Sequence, residues 1–243
     1  MDTKVLIPFH TPLNMLICGE SNCGKYRHIL SSTIKLLYHF IGKTYWLEKL
    51  IRARMEIFTP PPARIIVFYK KYQERYGCWE SEFPDGAVRC LEGLPRPEMF
   101  ESGGGESAIP ANTLIVLDDF MLDSTDNDFL ATLYTVGRHF GLAGVVTVWH
   151  QIFPAGKQQR TISLNQHAYV LMKSPRIRSQ IPTLGGQLGI RALMKDAYRQ
   201  ATEFAPFSYL VADYSNKIEQ NSERFALRTN IFPSEPGPTH CFV

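Results

Sequence analysis

The chain predicts an α/β fold built on a mostly parallel central sheet flanked by helices, and three observations carry this. Apolar, β-branched runs of six to eight residues recur along its 243 residues. Helix-like stretches with apolar positions three and four apart separate them. The runs are continuous rather than alternating, the pattern of strands covered on both faces, and such strands belong to parallel sheets with helices above and below.

The elements follow in order. "LNMLIC" (13–18) is the first strand, and "RHILSSTIKLLYHFIG" (27–42) the helix after it. "RIIVFY" (64–69), "TLIVLD" (113–118), "AGVVTVWH" (143–150) and "HAYVLMK" (167–173) are four further strands. "DNDFLATLYTVGRHF" (126–140) is helical, and residues 179–203 form an amphipathic helix. "FSYLVADY" (207–214) and "RFALRTNIF" (224–232) read as a terminal hairpin or as edge strands. Residues 83–110, rich in Gly, Pro and acids, read as an inserted surface loop, and 233–243 as a flexible tail. No linker divides the chain, so residues 1–243 form one domain.

Composition bounds the function. Hydrophobic residues are 44% and charged residues 20%, values that support a full globular core. A formal charge of +3 neither demands nor excludes a nucleic-acid partner; any basic surface is local. Five cysteines, at 18, 23, 78, 90 and 241, form no Cys-x-x-Cys pair, which indicates a reducing compartment with no disulfide framework and no zinc knuckle. The first residues lack a signal-peptide core, no apolar run reaches membrane-spanning length, and Cys241 is misplaced for prenylation. A soluble intracellular protein without a membrane partner is expected.

The chemistry begins at "LICGESNCGKYRH". Gly19-x4-Gly24-Lys25 lies between a strand and a helix. Glycines there let backbone N–H groups turn inward around phosphates; the helix N-terminus adds partial positive charge, and the lysine reaches the terminal phosphates. Gly19, Glu20, Ser21, Asn22, Cys23, Gly24, Lys25 and Tyr26 are thus the candidate nucleotide-binding residues, with ATP and Mg²⁺ as the ligands. Tyr26 stands where Ser or Thr would offer a hydroxyl to Mg²⁺, and a phenol at the far end of a ring cannot occupy that point. Cys23, near a helix N-terminus, is read as a small loop residue.

A second motif, "LIVLDD" (114–119), ends in Asp118-Asp119, 93 residues after Lys25. In a phosphate-loop domain the first acid holds a Mg²⁺-bound water, so Asp118 is the candidate metal residue, and Asp119 sits where a base activates the attacking water. The 64–69 strand between the two motifs fits the branch with an extra sheet strand between the motif strands, a P-loop NTPase of RecA/ASCE-like type. "VTVWHQIFP" ends a later strand, and His150 or Gln151 is the candidate sensor of the γ-phosphate.

These motifs, with "PFHTPLNMLICGESNCGK", "RIIVFYKKYQERY", "CLEGLP", "LIVLDDFM", "KQQRTISLN", "KSPR" and "RFALRTNIFP", resemble the genome-packaging ATPases of the FtsK–HerA superfamily. The likeness is to the small forms of poxvirus-like large DNA viruses and Polinton (Maverick)-type viruses, and runs from about Pro8 to Pro233. It implies ATP-driven movement of double-stranded DNA into a capsid, in an infected cell (nucleus or cytoplasm), with possible virion association. It also implies a homo-oligomeric ring and portal or vertex proteins as partners. Arg160 and Arg176 match positions where a neighbour's basic residue reaches the phosphates, and Lys70, Lys71, Arg75 and Arg178 are candidates for DNA-backbone contacts. The chain departs from the family at Tyr26, at Val136, where an arginine is usual and Arg138 stands nearby, and at His150-Gln151, where Gln-Asn is usual. Two other readings stay open: a P-loop nucleotide- or DNA-binding adaptor with weak or no hydrolysis, and a nucleotide kinase, for which no arginine-rich lid is visible.

Overall fold

The structure, a computed structural model, describes residues 4, 6–19, 42–101, 108–203, 208–215 and 225–242. Its strands are β1 (Phe9–His10), β2 (Leu13–Cys18), β3 (Phe58–Thr59), β4 (Arg64–Tyr69), β5 (Val88–Glu92), β6 (Thr113–Asp118), β7 (Gly144–Trp149), β8 (Ala168–Met172), β9 (Tyr209–Asp213), β10 (Ala226–Thr229) and β11 (His240–Phe242). Strands β1 and β3 pair as a small parallel ribbon. The other nine form one sheet in the order β11-β10-β9-β8-β2-β7-β6-β4-β5.

From β8 to β5 every pairing is parallel. Strands β9, β10 and β11 continue the sheet in antiparallel fashion. The fold is α/β, as expected, and the sheet is mixed: six parallel strands with an antiparallel edge of three. The β9–β10 pair realises the expected terminal hairpin. Strand β7 lies between β2 and β6. So the extra strand between the two motif strands is β7, while β4, the strand between them in sequence, pairs with the far side of β6.

Continuous apolar strands are explained by two cores. Leu16, Cys18, Ile66, Phe68, Ile115 and Leu117 face one, with the helices Asp128–Val136, Ile181–Gln187 and Arg191–Glu203 packed over them. Met15, Ile17, Ile65, Val67, Leu114 and Val116 face the other, under the helices Lys43–Arg52 and Glu74–Glu82. Successive residues of a strand point to opposite faces, so a strand buried twice has no polar alternate positions.

Gly144 fixes how β7 enters. Its φ is +143°, and a Cβ there would collide with the Leu13 carbonyl oxygen on β2. Only a residue without a side chain allows this approach. It puts Leu13 opposite Gly144 and Cys18 opposite Trp149 along one unbroken register.

Four expectations are corrected. Residues 83–110 are not merely a loop: Val88–Glu92 is edge strand β5, and Pro97–Phe100 forms a 3₁₀ turn that buries Met99. The 126–140 helix spans Asp128–Val136, capped by Asn127, whose Oδ1 accepts the Leu130 N–H at 3.0 Å, and gives way to a 3₁₀ turn at Gly137–Phe140. The 179–203 helix is two helices, Ile181–Gln187 and Arg191–Glu203, divided near Gly189, whose φ of +75° leaves the helical region. The 233–243 tail carries β11. The helix expected over 27–42 lies outside the described residues except for Gly42. Among the described residues no helix is long and apolar enough to cross a membrane.

Candidate functional site

The helix Lys43–Arg52, which precedes β4, buries Trp46, Leu47, Leu50 and Ile51 in the same core as Met15 and Ile17 of β2. The helix Gln159–Leu164, which leads out of β7, buries Ile162 in the opposite core. Adjacent strands β2 and β7 are thus served by helices on opposite faces. In an open parallel sheet the crevice beyond the carboxyl ends of two such strands is the natural ligand site. Strand β2 ends at Cys18, next to Gly19; β7 ends at Trp149, next to His150; β6 ends at Asp118. Gly19 N–H donates to the Trp149 carbonyl at 3.2 Å, which ties two of these ends together.

Three charged or polar side chains meet at the crevice. The Lys43 ammonium, on a residue only 8% exposed, donates to the Gly19 carbonyl at 2.5 Å and lies 3.0 Å from His150 Nδ1. His150 Nε2 lies 3.2 Å from Asp119 Oδ1. With Lys43 donating to Nδ1, the imidazole carries its proton on Nε2 and gives it to Asp119, a tautomer assigned from these contacts. Asp119 is mostly exposed and takes a left-handed backbone, φ +67°, which Asp tolerates better than most residues. That turn separates the two acids: Asp118 faces inward, Asp119 outward.

Asp118 is 5% exposed. Its Oδ2 accepts the Tyr76 hydroxyl at 2.9 Å. Burial pushes the carboxyl above the ordinary range; the Tyr76 hydrogen bond opposes that, Asp119 adds to it, and the charges of Lys43 and Arg75 oppose it. Tyr76 is itself held in an aromatic stack, 4.5 Å from Tyr69 and 5.6 Å from Trp79 between ring centres. Burial and the neighbouring Asp118 push its phenol upward, so it remains a donor.

The remaining candidates are placed as follows. Gln151 is half-buried beside His150. Arg160 and Arg176 are exposed, on the helices Gln159–Leu164 and Pro175–Arg178 that follow β7 and β8. Glu20, Ser21, Asn22, Cys23, Gly24, Lys25 and Tyr26 lie outside the described residues; Gly19 alone of that set is described. Of the expected DNA contacts, Lys70 pairs with Asp123 at 2.9 Å, Lys71 and Arg178 are exposed, and Arg75 is half-buried with its charge acting on Asp118. Arg138 lines a cavity of about 510 Å³ with His10, Asn14 and His167 at the amino ends of the strands, remote from the acid pair.

Sequence reading missed Lys43 and Tyr76. The signal for Lys43 was present as "GKT" at 42–44. Tyr76 had none, because its contact spans 42 positions.

A nucleotide with Mg²⁺ fits these groups. A buried ammonium at a helix N-terminus suits phosphate, and one carboxylate oxygen of Asp118 accepts no hydrogen bond among the described residues. Mg²⁺ is commonly held by one or two carboxylates together with phosphates and waters; no cluster of three or more metal-ligating side chains occurs among the described residues.

The strand order sets both motif strands in one α/β sheet, with β7 between β2 and β6. No protein-family model matches the chain. No curated protein matches it. Among solved structures, the chain is similar to ATPases 2 and 3 of EssC from Geobacillus thermodenitrificans, with a TM-score of 0.49 and 12% identity over 92% of this chain. It spans 40% of that protein's chain.

Proposed function

We propose that the chain is an ATP-hydrolysing motor of the viral DNA-packaging kind, working as a homo-oligomeric ring on double-stranded DNA at a capsid portal or vertex inside the infected cell. The observation that carries the hydrolytic part is the convergence of Lys43, His150, Asp118 and Asp119 beyond the carboxyl ends of β2, β7 and β6. The packaging part rests on the sequence resemblance.

Asp118, oriented by Tyr76, would hold Mg²⁺ through a bound water, and the ion would supply charge neutralisation on the phosphates. Asp119 stands outward to orient and deprotonate the attacking water. His150 senses the terminal phosphate, since its ring already touches both the lysine and the outer acid; Gln151 is the alternative. Positioning and electrostatic stabilisation carry most of the rate in phosphoryl transfer, which is what fixed charges on strand ends provide. Arg160 and Arg176, both exposed, are the candidates to reach the phosphates of a neighbouring copy. Lys70, Lys71, Arg75 and Arg178 are the candidates for phosphate-backbone contacts with DNA.

The test is Mg·ATP hydrolysis with and without duplex DNA. A motor turns over and is stimulated by the duplex. Silence in both conditions with retained ATP binding favours the adaptor reading, which Tyr26 motivates. Dependence on a nucleoside acceptor indicates a kinase.

A further inference from the structure

Two Gly-Lys pairs occur in the chain near the end of β2, at 24–25 and at 42–43, which are 18 positions apart. The first completes Gly-x4-Gly-Lys but is followed by Tyr26. The second is followed by Thr44, the hydroxyl residue that the pattern requires. Joining Lys25 directly to Thr44 leaves "GESNCGKTYWLEKL", in which all eight positions of the phosphate loop are satisfied and the next residues are the helix Lys43–Arg52.

Of the two pairs, the structure describes the second. A phosphate loop delivers its lysine at the first turn of a helix, with glycine just before it. Lys43–Arg52 is a helix that opens on such a pair, and Gly42 is its N-cap with φ 133° and ψ −151°, a conformation reserved for glycine. Among the described residues no side chain caps that N-terminus, and no acid lies in its first turn.

The lysine itself is at odds with a purely structural role. A cation at a helix N-terminus opposes the helix dipole, and a buried ammonium is costly. An anion bound beside it offsets both penalties. Lys43 is held on the carbonyl of Gly19, the first glycine of the motif, at 2.5 Å, and beside His150 at 3.0 Å. Its charge reaches Asp118, the candidate metal residue. The position is also the crevice between β2 and β7, where the two flanking helices lie on opposite faces.

From the glycine N-cap, the buried lysine on Gly19 and the adjacent threonine, we infer that Gly42-Lys43-Thr44 binds the nucleotide phosphates and metal in this chain, not Gly24-Lys25-Tyr26, and that the 18 positions separating the pairs are an insertion in the loop. Lys43 takes the terminal phosphates and Thr44 offers its hydroxyl to Mg²⁺. Tyr26 then needs no accommodation at the metal, because it is not the residue beside it.

This inference rests on the nucleotide-binding reading above, and the experiment separates the two. Affinity for a fluorescent ATP analogue with Mg²⁺ is measured for the native chain, Lys25→Met, Lys43→Met and a variant lacking residues 26–43. Methionine matches the length and burial of Lys43, and thermal melts check that each variant folds. Expected is a loss of at least about tenfold for Lys43→Met, the scale of one charge-assisted hydrogen bond. Lys25→Met stays within about twofold of the native chain, and the shortened variant binds at least as tightly as native. A loss on Lys25→Met with Lys43→Met unchanged overturns the inference and leaves the nucleotide reading standing. Absence of ATP binding in all four proteins, the shortened one included, overturns both.

Discussion

The parallel half of the sheet and its antiparallel edge both bury charge, and they do so for opposite ends. At β9 and β10, Arg228 is fully buried and pairs with Asp213 at 2.7 Å; Asp213 also accepts the Ser215 N–H at 3.1 Å and its hydroxyl at 2.8 Å. Arg228 also donates to the Ile7 carbonyl and covers the Phe9 ring at 4.6 Å. This cluster joins the β10 hairpin to the segment before β2. At the carboxyl ends of β2, β6 and β7, by contrast, the charges form an open chain, Lys43 to His150 to Asp119, whose last member is mostly exposed. Parallel strands bring successive loops to one end of the sheet, so partial burial there can serve a ligand. Antiparallel strands end alternately up and down, so the charge they bury serves the fold.

The first way to break the comparison is Arg228→Met, which leaves Asp213 buried without its counter-ion. It should cost about 3–5 kcal/mol, with Asp213→Leu added to it recovering most of the loss. Chemical denaturation of the single and double variants measures this.

Next in size is Asp118→Asn, which should lower ATP turnover by about 10²–10³-fold without loss of stability. The sign follows from its raised carboxyl. A folded-state value above the unfolded one means that the folded protein binds more protons in that window. The carboxyl's contribution to stability is therefore greatest below the ordinary carboxylate range and is lost as pH rises through the folded value. At neutral pH the asparagine variant should melt no lower than native. Native turnover should in turn fall on acidification at a pH above that of an ordinary carboxylate, as a pH–rate profile would read.

Tyr76→Phe removes one hydrogen bond to Asp118 and keeps the aromatic stack. About tenfold loss of kcat with KM for ATP little changed is expected, read from steady-state kinetics. Smallest is Lys70→Ala. Its exposed pair with Asp123 contributes under about 1 kcal/mol, so the melt should barely move. DNA affinity should lose about one unit of salt slope if Lys70 contacts a phosphate, measured by titration at several salt concentrations.

The doubly buried strands were legible in the sequence. Expected strands at 13–18, 64–69 and 113–118 coincide with β2, β4 and β6, and those at 143–150 and 167–173 contain β7 and β8. Burial on both faces leaves an uninterrupted apolar signal, which local inspection reads well. Strand β5, "VRCLE", did not show, because an edge strand with one open face mixes charge with apolar residues. The break near Gly189 was hidden by an amphipathic pattern that continues on either side of it. The strand-end positions of Asp118, Asp119 and His150 were legible because each closes or follows an apolar run. Lys43 was overlooked because Gly24-Lys25 matched first, and Tyr76, on a helix, because nothing local encodes its partner at the end of β6.

Gly144 has a reach that its position does not advertise. It sits at the amino end of β7, and the six-residue strand carries it about 20 Å from His150. Any added side chain there must push β7 off β2, and the displacement runs along the strand to the junction where Gly19 meets Trp149. The tolerance of the molecule to heritable change is therefore uneven in a way that distance from the chemistry does not forecast. A single methyl group at the quiet end of the sheet would be felt at the working end, and drift at position 144 is closed to nineteen of twenty amino acids.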